Sequence, residues 1–282
     1  MDFSNRNILI TGAADGLGFA VSKAFSEKKA NLFLLDIDHK KLIKNNIPNA
    51  KNIECDLSKI DNLEKLFLNL SKEQKSIDIL IHNAAILIPK SFENTDKKYW
   101  NDVLNISLNS GFHLSKFVWD NMKKNGRGII IFVSSRAGVE GFDNESAYCA
   151  AKHGLEGLMK SLSIEGSSIG IQVFTITPGM FMNTPMSEQN YTDEYKKKWV
   201  DPIELTPAFL KLASGKYKHL IGKHVNAWEL SNEDKNNFND FVNKNISFNP
   251  HNMFVCKSKK ILKNYYNNIF PWLKKCENEF GF

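Results

Sequence analysis

The sequence has little that would tie it to a membrane, a metal or a disulfide framework. Its four cysteines, Cys55, Cys149, Cys256 and Cys276, are scattered over 282 residues, with neither metal-ligand spacing nor the pattern of a bridged scaffold. Long apolar runs are missing. Those present, such as Ile129–Val133, have the length of a strand and fall far short of a bilayer span. The start, Met1-Asp2-Phe3-Ser4-Asn5-Arg6, has no basic segment leading into an apolar stretch, so no secretory signal is read and the cytoplasm is the expected compartment. Zinc-finger spacing, a glycine-aromatic RNA-binding signature, solenoid repeats and low-complexity linkers are missing too.

What is present is ordinary for a globular chain: 42% hydrophobic and 24% charged residues, with a net charge of +6. The length suits one large α/β domain with an appendage. Lysines gather toward the end, at Lys257, Lys259, Lys260, Lys263, Lys274 and Lys275. A basic tail can attract nucleic acid or an anionic membrane, but a solvated Lys- and Asn-rich surface explains it more simply, and neither partner is expected.

Along the chain, short β runs alternate with helical periodicity. Asn7–Thr11 is a strand that runs into Gly12-Ala13-Ala14-Asp15-Gly16-Leu17-Gly18; Phe19–Lys29 has the period of a helix; Asn31–Leu35 is a second strand ending at Asp36. The pattern repeats, with strands at Asn52–Cys55, Ile77–Ile81, Gly128–Val133 and Ile171–Thr177 and a seventh within Lys218–Asn226. Helices are expected at Ile60–Leu70, over about 96–124, and at Ser146–Ser168. This predicts a doubly wound, Rossmann-type parallel sheet of about seven strands with helices on both faces. After Leu230 the chain turns rich in Asn, Asp and Lys, with isolated large apolar groups such as Phe254, Tyr265, Phe270 and Trp272. Residues 1–230 are therefore expected to form the Rossmann-type domain. Residues 231–282 are expected as an extension of short helices packed on it, too small for a core of its own.

The strand–glycine–helix turn suits a dinucleotide. Gly12 permits the tight turn, Gly16 lets the backbone approach a pyrophosphate, and Gly18 lets helix and strand pack closely, while the helix N-terminus favours the negative charge. Asp36, eighteen residues after Gly18, is placed to accept from both ribose hydroxyls of an adenosine and to repel a 2′-phosphate. Asp15 adds a second negative charge nearby. Both acids point to NAD over NADP. Further on, Tyr148 and Lys152 stand four apart on one helix face, and Ser135 stands thirteen before the tyrosine. A phenol with an ordinary pKa of about 10 is moved toward neutrality by a nearby ammonium, which suits proton transfer to an alcohol or carbonyl.

Together these residues resemble the short-chain dehydrogenase/reductase family, in its oxidoreductase branch. The resemblance spans roughly residues 5–230. It rests on Thr11-Gly12-x-x-x-Gly16-x-Gly18, Asp36, Asp56-Leu57, His82-Asn83-Ala84-Ala85 as a variant of Asn-Asn-Ala-Gly, Ser135, Tyr148-x-x-x-Lys152 and Pro178-Gly179. It implies Tyr148 as general acid/base, Lys152 as ligand of the nicotinamide ribose, and Ser135 as the group orienting the substrate oxygen. It further implies Asp56 and Leu57 at the adenine, Asn83, Ala84 and Ala85 along the cofactor cleft, and Pro178, Gly179 and a following threonine at the nicotinamide. A homodimer or homotetramer and a small alcohol or carbonyl substrate follow from the same resemblance.

Three departures stand out. Where the family carries a catalytic Asn, the count lands on Ser107, with Asn105 and Asn109 two residues to either side; the relay is expected to use the Ser107 hydroxyl or a rearranged helix that brings Asn105 in. Thr184 follows Pro178 by six residues, one more than usual, which implies a bulge. The usual glycine-rich ending is replaced by Ala227-Trp228-Glu229-Leu230. For the substrate, Arg136 and Glu140 suit a polar molecule such as a sugar or sugar derivative, and a lid is expected over 185–200 with Tyr191, Tyr195 and Trp199. The expected function is an NAD-dependent alcohol dehydrogenase or ketone reductase. The alternative is a cofactor-binding sensor or structural subunit with weak or no turnover.

Overall fold

Apolar runs without polar alternation require a sheet covered on both faces, and that is how the strands are used. The computed structural model describes residues 1–72, 76–190, 192–234, 246–249 and 253–256. Strands β1 (Asn7–Thr11), β2 (Asn31–Asp36), β3 (Ala50–Glu54), β4 (Ile79–His82), β5 (Gly128–Val133), β6 (Ile171–Thr177) and β7 (His224–Asn226) form one sheet in the order β3-β2-β1-β4-β5-β6-β7. Every neighbouring pair is parallel. Successive side chains of β1 go to opposite faces. Ile8 and Ile10 join a core with Val21 and Phe25 of α1 (Gly16–Glu27), whereas Leu9 joins one with Leu114, Val118, Leu155 and Met159.

The strand order reverses between β1 and β4, so the crossovers leave to opposite sides and a crevice opens at the carboxyl ends of these strands. Short helices α2 (His39–Asn45) and α3 (Asp61–Lys72) follow β2 and β3. Sequence periodicity does not single out α2, but Asp38 caps it by accepting from the Lys41 amide at 2.9 Å.

The helical region expected over about 96–124 runs from Lys97 to Lys124 and changes its winding midway. α4 (Lys97–Leu104) and α5 (Ser110–Lys124) are joined by a π-helical turn at Asn105–Asn109. α6 (Ser146–Ser167) agrees with the periodicity to one residue. Short helices α7 (Pro185–Asn190) and α8 (Asp193–Lys196) fill the segment expected as a lid, and α9 (Thr206–Ala213) follows. Tyr191 lies outside the described residues. The seventh strand is shorter than expected, because Gly222 at φ 72° ends any extension from the preceding turn at Lys218–Leu220.

Residues 232–282 form a separate compact unit. Its described residues are two strands, β8 (Ile246–Asn249) and β9 (Met253–Cys256), paired antiparallel with Ile246 opposite Cys256. The expectation of short helices is thus corrected for these eight residues: Ile246-Ser247-Phe248-Asn249 alternates with a period of two, and Met253-Phe254-Val255 is β-prone. The lysine-rich tail and the aromatic positions 265, 270 and 272 lie outside the described residues. Among the described residues no helix is long and apolar enough to cross a membrane.

The turn into β6 depends on one glycine. Gly170 has φ 80°, and a Cβ there would stand 2.0 Å from the Gly126 carbonyl oxygen. Gly170→Ala should therefore cost about 2–4 kcal/mol of folding stability, read as a lowered urea midpoint.

Candidate active site

The glycine turn is held by hydrogen bonds from the neighbouring strand ends. Thr11 closes β1, and Gly12 and Gly16 follow with φ 63° and 50°. Asn83, just beyond β4, donates its amide to the carbonyls of Thr11 and Gly12, each at 3.1 Å. Gly18 lies outside the cavity wall; its role is packing, since a Cβ there would fall 2.0 Å from the Gly12 carbonyl oxygen. Asp36 Oδ2 accepts from the Ala14 amide at 2.9 Å and Oδ1 from the Asp38 amide at 3.0 Å. Its carboxylate is thereby fixed at the edge of the cavity. Asp15 caps α1 through the Gly16 amide at 2.8 Å and forms an ion pair with Lys41. The expected second bare charge is therefore corrected: Lys41, one turn into α2, neutralises Asp15. Asp56 accepts from the Ser58 amide and hydroxyl at 3.0 and 2.6 Å.

On the other side of the crevice, Ser135 leaves β5, and Tyr148 and Lys152 project from α6 into the same cavity of about 960 Å³. Ser135 Oγ accepts from the Ala137 amide at 3.2 Å, so its hydroxyl proton remains available to a ligand. Tyr148 is 9% exposed and Lys152 1%. Lys152 Nζ donates to the Val133 carbonyl oxygen at 2.7 Å and lies 5.3 Å from the Tyr148 ring centroid. Burial pulls the Lys152 ammonium down to about 7, against the opposing charge of Glu156.

The π turn settles where the two asparagines point. Asn105 donates to the Ser58 carbonyl at 3.0 Å and accepts from Asn109 at 2.8 Å, so neither amide reaches the cavity. Ser107 is fully buried, its hydroxyl lacks a hydrogen-bond partner, and it does not line the cavity. Its carbonyl oxygen stands 3.0 Å from His82 Nε2. Thr11 Oγ1 accepts from the Asn83 and Ala84 amides, each at 3.0 Å, which leaves its proton for His82 Nδ1 at 3.0 Å. The ring proton then sits on Nε2 and is donated to Ser107. Gly111 leaves room for this ring, as a Cβ there would come within 3.0 Å of it. Burial pushes His82 down to about 4, with the Lys152 charge acting in the same direction. Reading residue types singled out His82 only as a motif variant; its role as the bond between β1, β4 and the π turn emerges from the tertiary contacts.

The remaining expected residues gather at the same cavity. Leu17, Leu57, Ala84, Ala85, Pro178, Gly179 and Thr184 all line it. Thr184 Oγ1 lies 2.9 Å from Ser187 Oγ and caps α7, with its side chain packed against Gly16. The cavity is also lined by Ile86, Leu87, Phe142, Met180 and Met186, together with the charged Arg136, Glu145 and Lys198. Arg136 and Glu140 bond each other at 2.6 Å at the exposed rim. The segment 180–200 is anchored at its base, where the Val200 amide donates to the Phe181 carbonyl at 2.9 Å and the Asn183 amide to the Val200 carbonyl at 3.0 Å.

The donor set fits a nicotinamide dinucleotide. The turn presents backbone without a Cβ at Gly12 and Gly16, a fixed carboxylate stands where the adenosine ribose would lie, and a hydroxyl, a phenol and an ammonium converge at the other end.

The chain is similar to known proteins. The family described as short chain dehydrogenase matches residues 6–195. The chain is 31% identical, over 80% of its length and 98% of the relative, to the 3-oxoacyl-(acyl-carrier-protein) reductase FabG of Buchnera aphidicola. It is 28% identical, over 72% of its length and 77% of the relative, to the NAD-dependent glycerol dehydrogenase of Listeria innocua. Among solved structures it resembles a 4-hydroxyisoleucine dehydrogenase complexed with NADH, with TM-score 0.72 and 27% identity over 79% of this chain and 96% of the other.

His82 gives this site a pH signature in folding. Its pKa falls from 6.5 to about 4 on folding, so between these values the unfolded chain binds a proton that the native one refuses. Stability should fall as pH drops through that window, by on the order of 3 kcal/mol in all, and His82→Gln should flatten the slope of urea midpoints measured from pH 7 to 4.5.

Proposed function

This chain belongs to the short chain dehydrogenase family, and we propose that it works with NAD(H) in preference to NADP(H), with Tyr148 as its general acid and base. Members of the family are nicotinamide-dependent oxidoreductases of alcohols and ketones. The observation that carries the reading is the convergence of Ser135, Tyr148 and Lys152 on one wall of a cavity that begins at the glycine turn and Asp36. Ser135 donates to the substrate oxygen, which its bond from Ala137 leaves it free to do. Tyr148 passes a proton to that oxygen in reduction and takes it up in oxidation. Lys152, with its Nζ 5.3 Å from the Tyr148 ring centroid, favours the phenolate and offers donors to the nicotinamide ribose. The bound nicotinamide supplies or takes up the hydride.

Asp36 carries the cofactor preference by itself, because Lys41 takes up the charge of Asp15. The aliphatic and thioether walls near Ser135 favour a carbonyl compound with an apolar body. A sugar derivative, suggested by Arg136 and Glu140 as residue types, would meet two groups that already bond each other at the exposed rim. The sensor reading draws on Ser107, whose hydroxyl stands behind the cavity wall instead of on it. Turnover of any ketone distinguishes the two.

Tyr148→Phe should lower kcat at least a hundredfold while NADH affinity, followed by nicotinamide fluorescence, changes less than about threefold; full activity in this variant would remove Tyr148 from its role. Titration calorimetry should give tighter binding of NADH than of NADPH, and Asp36→Ala should narrow the difference. Equal affinities in the unaltered protein would overturn the preference.

A further inference from the structure

Tyr148, Lys152 and Glu156 follow one another at four-residue spacing along α6, one helical turn apart on one face. The reaction described above uses the first two. Glu156 is nonetheless 4% exposed, a position that a carboxylate occupies only with strong compensation. Thr175 Oγ1 of β6 donates to its Oε2 at 2.8 Å, and His224 Nδ1 of β7 donates to its Oε1 at 2.7 Å. Gly138, after β5, closes over the helix: a Cβ there would lie 3.2 Å from Glu156 Cγ and 3.2 Å from the Lys152 carbonyl oxygen. Burial works to raise the Glu156 carboxyl, but the donors around it, His224 first, outweigh that effect and hold it below the usual glutamate range.

The surroundings of Lys152 explain why an acid is needed here. Its Nζ bonds the neutral carbonyl of Val133. From β4 it faces His82, which is neutral and would add only positive charge if protonated. From its own helix it faces Tyr148, which is anionic only after losing its proton. Among the described residues, Glu156 is the anion whose charge supports the ammonium. A hydrogen-bonding tie between α6 and the sheet would not by itself require that charge.

We propose that Glu156 is a positioning residue of the acid–base step: its carboxylate, held by Thr175 and His224, is the counter-charge that keeps the buried Lys152 protonated and so keeps Tyr148 able to release its proton. The role rests on the Tyr148–Lys152 reading above. Without the carboxylate, burial acts unopposed on Lys152, and the ammonium is lost at lower pH.

Glu156→Gln keeps the shape and removes the charge. In this variant the alkaline limb of kcat should move down by about one pH unit, while the rate below the limb changes less than threefold and Glu156→Asp keeps the original limb. The titration of Lys152 Nζ, followed by nitrogen NMR of lysine-labelled full-length protein and assigned with Lys152→Arg, should move the same way by a similar amount. An unmoved limb with only a smaller amplitude, or an unmoved Lys152 titration, would reduce Glu156 to a structural tie and overturn the proposal. Should Glu156→Gln fail to fold, the double variant Glu156→Met, Thr175→Val fills the site with apolar groups, and its Lys152 titration decides in the same way. If the unaltered protein reduces no ketone while Lys152 still responds to Glu156, the counter-charge stands and the catalytic reading falls.

Discussion

Lys152 carries its ammonium to a buried position on the wall of the cavity, and much of the surrounding structure answers that burial. Its Nζ donates to the last carbonyl of β5, its side chain is almost fully buried, and its charge lies beside the Tyr148 ring. Taking an ammonium out of water costs several kcal/mol unless charges and dipoles replace the lost hydration. The protein replaces it with a strand-end carbonyl and a buried carboxylate one turn away. The same low-polarity surroundings make the ammonium act strongly on the phenol, because a charge is poorly screened there. The cost of burying the charge and its usefulness in proton transfer therefore have one origin.

A second group of bonds keeps the two halves of the crevice in register. Thr11 accepts from the amides of Asn83 and Ala84 and donates its hydroxyl to His82, which in turn holds the Ser107 carbonyl in the π turn. Asn83 holds the glycine turn by two carbonyls. Strand β1, strand β4 and the helix wall are thus joined at the point where the strand order reverses, which is where an open α/β sheet has room for a ligand. The glycines are constrained by the same closeness: a Cβ at Gly12 or Gly18 would meet Asn83 or the turn itself.

Several site residues were legible from spacing because helix and strand periods are fixed. Tyr148 and Lys152 must share a face of α6, and Gly12, Gly16 and Asp36 must lie at the strand ends they follow. Others were not legible, because their role depends on a partner distant in the chain. Asp15 reads as a bare charge until Lys41, twenty-six residues on, is seen to neutralise it. Asn105 reads as a candidate for the site until the π turn directs its amide to Ser58. Glu156 reads as an ordinary helix residue, since nothing local announces Thr175 or His224.

By itself, the sequence determined the parallel sheet, the length of most strands, the place of the crevice and the pairing of Tyr148 with Lys152 on one helix face. Those features follow from local periodicity and from glycine, whose consequences reach only a few residues. The tertiary structure alone decided which charges are neutralised, how the helix after β4 is wound, and how deeply Lys152 is buried. These depend on desolvation and on hydrogen bonds between side chains that meet only when β1, β4, β5, β6 and β7 lie side by side. Local spacing carries no information about that meeting, so the helix neighbours Tyr148 and Lys152 could be found in the chain, but the carboxylate that supports them could not.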